Sequence, residues 1–211
     1  MSNPPVTFDQ IVAARGRIRD GIILTPCGQS HALSEVCGCT VFAKLEYLQA
    51  TGSFKERGAR NTMLQLTPEQ RARGVIAASA GNHALALAYH GKQLGIPVTV
   101  VMPLYAPIIK QSRCRGMDAE VLLEGETLAD ARVRADAIAA DRGQVYINGF
   151  DDPRVIAGAG TIGLEVLEQV KDLDVLVAPI GGGGLIAGVA LAVKTMAPHV
   201  RIVGVQAERC P

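Results

Sequence analysis

Three short segments contain the residues whose types and spacing suit chemistry. TGSFKERG, at residues 51–58, places a lysine beside an aromatic residue where a helical pattern begins. SAGNH at residues 79–83 and GGGG at residues 181–184 each lie between a predicted strand and a predicted helix. Together they supply an amine nucleophile, a turn that can bind an anion, and a loop that can surround a phosphate.

Lys55 is the candidate nucleophile. A lysine that forms a Schiff base needs a neutral, rigidly held amine, and the first turn of a helix disfavours the ammonium form. Phe54 is placed to pack against a flat cofactor ring. The alternative is an exposed lysine on a helix surface, with Glu56 and Arg57 as solvated neighbours.

The segment at 79–83 has the composition of an anion-binding helix start. Ser79 and Asn82 are cap-type residues, and Gly81 allows the backbone to approach a ligand. Free N–H groups at this point bind groups such as a carboxylate. The alternative is an ordinary strand-to-helix cap in which His83 is a structural helix residue.

The glycine loop, residues 181–184, follows an apolar strand and precedes an apolar helix that is predicted to begin at Leu185. Consecutive glycines can direct several N–H groups at a phosphate. No Lys-Ser or Lys-Thr pair follows, and the dinucleotide-binding fingerprint is missing, so other nucleotide loops are disfavoured. A flexible linker is the alternative. The three segments together favour pyridoxal phosphate, held by Lys55 as a Schiff base.

Composition excludes several other classes of function. The 211 residues are 48% hydrophobic with a net charge of +1, so no basic field is present for nucleic acid. No apolar stretch is long enough to span a membrane. Five cysteines without an export signal favour free thiols and a cytoplasmic location. Cys37-Gly38-Cys39 lacks a second ligand pair, so we expect no metal site.

Strands and helices alternate along the chain, which predicts an α/β fold with parallel sheets covered by helices. We also expect the last strand to be central in its sheet. The predicted strands are Val41–Leu45, Val75–Ala78, Val98–Met102, Glu120–Leu123, Val145–Asn148, Val175–Ala178 and Arg201–Val205. The predicted helices are Thr7–Asp20, Ser53–Leu66, Asn82–Leu94, Pro107–Arg115, Thr127–Arg142, Pro153–Val170 and Leu185–Met196.

With these motifs the chain resembles the threonine dehydratase (threonine ammonia-lyase) group of fold-type II pyridoxal-phosphate enzymes. DDPRVIAG at 151–158, GTIGLE at 160–165 and VGVQ at 203–206 extend the resemblance. It implies a two-lobed architecture with a smaller lobe at 47–148 and a larger lobe formed by 1–46 plus 149–211. Because the family's catalytic domains continue further, the larger lobe is expected to be incomplete at its C-terminus.

The resemblance also implies a role for each motif residue. Lys55 would carry the cofactor and move the Cα proton, and Asn82 would hydrogen-bond the ring hydroxyl with Phe54 packed near the ring. The residues expected to shape the turn for the substrate carboxylate are Ser79, Ala80, Gly81 and His83. Those expected to hold the phosphate are Gly181, Gly182, Gly183, Gly184 and the N–H of Leu185.

The implied reaction is β-elimination of L-threonine to 2-oxobutanoate and ammonia, with L-serine giving pyruvate. Ala80 stands where serine racemases of the family have a hydroxyl, so racemisation is disfavoured. Gln206 replaces the carboxylate of cation-dependent relatives, so no metal is implied. The alternatives are a hydroxyaspartate ammonia-lyase, a serine racemase, or a non-catalytic remnant that binds the cofactor weakly or associates through its sheet. The expected partner is a small amino acid, with a homo-oligomer left open.

Overall fold

The computed structural model describes residues 6–209, where helices and strands alternate as predicted. The helices are α1 (Phe8–Ile18), α2 (His31–Cys37), α3 (Lys55–Met63), α4 (Pro68–Arg73), α5 (Asn82–Leu94), α6 (Ile108–Arg115), α7 (Leu128–Arg142), α8 (Pro153–Gln169) and α9 (Gly184–Met196). The strands are β1 (Cys27–Gln29), β2 (Phe42–Lys44), β3 (Val75–Ala78), β4 (Val98–Met102), β5 (Glu120–Leu123), β6 (Val145–Tyr146), β7 (Val175–Ile180) and β8 (Arg201–Gln206). Short 3₁₀ helices occupy Arg19–Gly21 and Glu46–Leu48.

The capping residues fix several helix boundaries. Thr7 forms a capping box with Gln10 at the start of α1. Thr67 and Pro68, which directly follow the predicted helix Ser53–Leu66, begin a separate helix, α4, with Thr67 as the cap and Pro68 in the first turn. β1 and α2 were not predicted, because each is too short to show a clear apolar period.

A four-stranded parallel sheet in the order β5-β4-β3-β6 forms the centre of the first α/β layer. Alternate residues of β3 and β4 contribute to two different apolar clusters, with Val75 in one and Ile76 in the other. α5 covers the first face, while Ala135 and Ile138 of α7 cover the second. The predicted α/β class with parallel sheets is confirmed here. The lobe boundaries at 47 and 148 stay a prediction.

The second parallel sheet contains β7 and β8. Val177 is 62% exposed and Val205 is 55% exposed, so these strands are less covered than their unbroken apolar sequences predicted. Within residues 6–209, β8 pairs with β7 alone, so the prediction of a central last strand is wrong for this structure. The apolar composition of a strand indicates that its burial is favourable, but it does not indicate which neighbouring element covers the strand.

α8 is the helix against which α1, α3 and α9 pack. A Cβ at Gly158 would lie 2.5 Å from the carbonyl oxygen of Arg57 on α3. A Cβ at Gly188 on α9 would lie 2.3 Å from the carbonyl oxygen of Ile156. Because real Cβ atoms do not approach backbone atoms so closely, glycine is required at both contacts. The two contacts bring the start of α3 and the start of α9 against one helix.

A buried ion cluster fixes α3 to α8 and to the N-terminal segment. The fully buried Arg57 guanidinium donates to both carboxylate oxygens of Glu165, at 2.6 and 2.8 Å, and to both of Glu46, at 2.8 Å. Lys44 Nζ lies 2.6 Å from Glu165 Oε2. Two cations therefore match two carboxylates, which offsets much of the cost of removing these charges from water. Lys55 lies two residues before Arg57, so the cluster also holds the first turn of α3.

None of the helices within residues 6–209 is long and apolar enough to cross a membrane. The four cysteines in this range, Cys27, Cys37, Cys39 and Cys114, are free thiols. Cys210 lies outside the described residues.

Arg57→Met is expected to destabilise the protein by about 3–5 kcal/mol, because it leaves the two buried carboxylates of the cluster with one cation, Lys44, instead of two. Urea denaturation followed by circular dichroism measures the change. The matched control is Arg15→Met. It removes an exposed ion pair between α1 and Glu168, which lies on α8 as Glu165 does, and it should lower the free energy of unfolding by less than about 1 kcal/mol. Equal losses in the two variants would contradict the role of the cluster.

Stability is also expected to fall in acid through Glu46. Burial acts to raise the pKa of Glu46, but the hydrogen bonds and charge of Arg57 outweigh it, so this pKa lies below its ordinary value of 4.5. The unfolded chain therefore binds more protons in acid, and stability present above about pH 4.5 is lost as the pH falls through the folded pKa. Urea midpoints between about pH 3.5 and 7 should show this loss, and Glu46→Gln should flatten the dependence.

Candidate functional site

Lys55 is the first residue of α3, so it lies in the first helical turn as predicted, and its amine is directed inward. Its Nζ donates a 2.6 Å hydrogen bond to the carbonyl oxygen of Gly149. The same Nζ lies 5.1 Å from the centre of the Phe54 ring, within range of a cation–π contact. Burial lowers the pKa of Lys55. The structure thus holds this amine in a place where release of its proton is easier than in water.

A turn at residues 148–151, which the motif analysis missed, lies at the centre of the site. The side-chain oxygen of Asn148 accepts from the N–H groups of Phe150 and Asp151, at 3.1 and 3.0 Å, which closes the turn. Gly149 contacts both Lys55 and His83. The Asn-Gly pair was a visible turn signal, but nothing in the sequence showed that the lysine would reach it.

The glycine loop packs against this same 148–151 turn. A Cβ at Gly182 would lie 2.2 Å from the Phe150 ring, and one at Gly184 would lie 2.3 Å from the Phe150 carbonyl oxygen. In contrast, a Cβ at Gly181 or Gly183 would meet no atom within 4 Å. The loop therefore has one side in contact with the protein and one side open. Gly183 has φ +82°, a conformation that favours glycine, and α9 begins directly after it.

The segment at 79–83 forms the predicted strand-to-helix turn. Ser79 Oγ accepts from the N–H of Gly81 at 3.2 Å, and α5 begins at Asn82. Asn82 Oδ1 accepts from Lys110 Nζ at 3.2 Å. A lysine ammonium can only donate, so this contact leaves the Asn82 NH₂ group free for another partner. Ala80 is half-buried and packs on the apolar cluster beneath the sheet.

Of the two remaining predicted site residues, His83 is buried and Leu185 is half-buried. His83 Nε2 is 2.9 Å from the carbonyl oxygen of Ile147, at the end of β6. Leu185 and Phe54 pack on the same apolar cluster near β7. The structure therefore connects Lys55, His83 and the glycine loop through the 148–151 turn, while Asn82 and Ser79 border them on the start of α5.

A comparison with protein-family models identifies the family of this chain. Residues 18–211 match the model described as "Pyridoxal-phosphate dependent enzyme". The chain belongs to this pyridoxal-phosphate dependent enzyme family. The match covers the lysine segment, the anion-binding turn and the glycine loop, so the resemblance inferred from those motifs is confirmed.

Individual members of the family show the same likeness. The chain is 47% identical over 206 residues to an L-threonine ammonia-lyase of Thermotoga maritima, covering 98% of this chain and 51% of that protein. Its fold matches threonine deaminase isoform 2 of Solanum lycopersicum with a TM-score of 0.90 at 39% identity, covering 98% of this chain and 59% of that one. It matches serine racemase of Dictyostelium discoideum with a TM-score of 0.92 at 35% identity, covering 98% and 67%. The chain thus spans about half the length of the Thermotoga relative.

The residues present fit the cofactor of the family. Gly181 and Gly183 leave open space at the start of α9, where backbone N–H groups can meet a phosphate. Within the described residues, three buried polar atoms near the site have no hydrogen-bond partner: Thr51 Oγ1, Ser53 Oγ and His83 Nδ1. Buried polar atoms are normally paired, and those without a protein partner are typical of ligand or water positions. No cluster of three or more metal-ligating side chains occurs in residues 6–209.

Gly181→Ala and Gly184→Ala separate the two sides of the glycine loop. The methyl group of Gly181→Ala enters open space, so the free energy of unfolding of the cofactor-free chain should stay within about 0.5 kcal/mol of wild type. The variant should nevertheless bind pyridoxal phosphate more weakly. Gly184→Ala places a methyl group against a backbone carbonyl and should destabilise the free chain by about 1–3 kcal/mol. Urea denaturation and a fluorescence titration with pyridoxal phosphate measure the two effects. Unchanged cofactor affinity in Gly181→Ala would contradict the assignment of the open side.

Proposed function

We propose that this chain catalyses β-elimination of L-threonine to 2-oxobutanoate and ammonia with pyridoxal phosphate, and of L-serine to pyruvate more slowly. The observation that carries this proposal is the position of the Lys55 amine. It is held by the Gly149 carbonyl at 2.6 Å, in the turn that also supports the glycine loop. The 47% identity to an L-threonine ammonia-lyase supports the choice of substrate.

Lys55 is proposed to attach the cofactor and to move the proton at Cα of the substrate. Both tasks need an amine that gives up its proton near neutral pH, and burial lowers the pKa of Lys55 in that direction. The Gly149 carbonyl accepts from this amine, so it holds Nζ in one place when the amine is free. The bound cofactor would supply an electron sink for the Cα carbanion.

The other site residues are proposed to bind and orient. The free N–H groups at the start of α5, beside the turn formed by Ser79, Ala80 and Gly81, would take the substrate carboxylate. The Asn82 NH₂ group, left free by the contact with Lys110, would donate to the ring hydroxyl of the cofactor. The start of α9, with Gly181 to Gly184 and the N–H of Leu185, would hold the phosphate. Phe54 would pack near the ring.

The residue at position 80 favours elimination over racemisation. The fold matches serine racemase of Dictyostelium discoideum as well as it matches threonine deaminases, so overall shape does not separate the two activities. A racemase needs a second group that exchanges a proton on the opposite face of Cα. The methyl group of Ala80 has no exchangeable proton, so this position cannot provide that group.

The visible spectrum of the purified chain with pyridoxal phosphate, before and after L-threonine, tests the proposal. We expect a Lys55-dependent absorbance band and release of 2-oxobutanoate, both lost in Lys55→Ala and kept in the control Lys92→Ala. Lys92 lies on the exposed side of α5, paired with Asp118. Chiral chromatography after incubation with L-serine checks for D-serine.

Each outcome of this experiment has a definite meaning. A band without 2-oxobutanoate would overturn the elimination and leave a chain that only binds the cofactor. Product from L-serine as D-serine would favour a racemase, and ammonia from hydroxyaspartate alone would favour that lyase. No Lys55-dependent band would overturn the proposal for this polypeptide.

A further inference from the structure

The imidazole of His83 is fixed by a single buried hydrogen bond. The residue is 7% exposed, and its Nε2 lies 2.9 Å from the carbonyl oxygen of Ile147. A carbonyl oxygen only accepts, so Nε2 must carry the proton of the ring. Nδ1 is then the unprotonated nitrogen of a neutral ring, and within residues 6–209 it has no hydrogen-bond partner.

The same ring lies directly against Gly149. A Cβ at Gly149 would be 2.8 Å from His83 Cγ and 2.9 Å from His83 Cδ2, so no side chain fits between them. The carbonyl oxygen of Gly149 accepts from Lys55 Nζ at 2.6 Å. Gly149 therefore has the histidine ring where a side chain would stand and the lysine amine on its carbonyl oxygen.

We propose that His83 is a positioning residue for Lys55. Its hydrogen bond to the Ile147 carbonyl holds the chain just after β6, and its ring packs against Gly149. Together these contacts keep the Gly149 carbonyl directed at the lysine amine. This inference rests on the proposed function only for the statement that Lys55 is the catalytic amine. The positioning itself is a property of the chain without cofactor.

The geometry also limits what the His83 side chain can do in the turn that it was predicted to shape. A neutral imidazole has one N–H group, and here Ile147 takes it. Nδ1 is an acceptor and cannot donate to a carboxylate. Burial lowers the pKa of His83 to about 4, so the ring stays neutral near neutral pH. The substrate carboxylate is left to the free backbone N–H groups at the start of α5.

Competitive amine labelling of the cofactor-free chain tests this role. Acetylation at about neutral pH, read by mass spectrometry, gives the rate at Lys55 relative to Lys92 in one sample. His83→Leu removes the donor to Ile147 and should raise the relative rate at Lys55 about three- to tenfold, the range expected when one hydrogen bond no longer holds the segment. His83→Gln restores an N–H donor and should stay close to wild type.

A second variant acts on the same contact from the other side. Gly149→Ala places a methyl group against the His83 ring, so it should displace the Gly149 carbonyl and raise Lys55 labelling in the same way. If circular dichroism shows that His83→Leu does not fold, the labelling rate of Lys55 in Gly149→Ala still tests the proposal. Lys55 rates equal to wild type in the folded variants, or an equal rise in His83→Leu and His83→Gln, would overturn the proposal.

This experiment is independent of catalysis. A wild-type chain that releases no 2-oxobutanoate would overturn the proposed function, while the labelling rates would still decide the role of His83. A chain that is active but shows no change at Lys55 would overturn the role of His83 and leave the proposed function intact.

Discussion

The rest of this structure depends on the burial of Arg57 between two carboxylates. Its guanidinium has no exposed surface and meets Glu46 and Glu165, which lie 11 and 108 residues away along the chain. Removing these charges from water is costly unless every partner is present, so the cluster allows little variation in how the segments meet. Because Arg57 follows Lys55 by two residues, the constraint extends directly to the amine on which the proposed chemistry depends.

Close contact between backbones complements this ion cluster. Gly158 and Gly188 let α8 approach α3 and α9 at distances that no side chain permits. The start of α3 carries Lys55 and the start of α9 follows the glycine loop, so one central helix places the amine and the proposed phosphate site on a common frame. A frame made by glycine contacts cannot expand to accept a larger residue without moving one of these two ends.

The 148–151 turn brings the site residues together. Gly149 accepts a hydrogen bond from Lys55 and packs against His83, and Phe150 packs on Gly182 and Gly184. The turn follows β6 of the four-stranded sheet and precedes α8, so it lies where the chain passes from one layer to the other. Ligands in α/β proteins commonly bind where strands end and the chain changes direction, since backbone groups are free there. The chain's family membership and this geometry agree on the cofactor that belongs in such a place.

The sequence alone determined the α/β class, most helices and strands, and the residue types of the site. Apolar periods are local, and a lysine at a helix start or four successive glycines are visible without a fold. It did not reveal β1, α2, α4 as a separate helix, or the exposure of strand β8, because short elements and strand neighbours depend on contacts distant in sequence. Only the tertiary structure showed that Lys55 meets Gly149, which is 94 residues away along the chain. The same holds for the tautomer of His83, which is set by a carbonyl that the sequence gave no reason to place there.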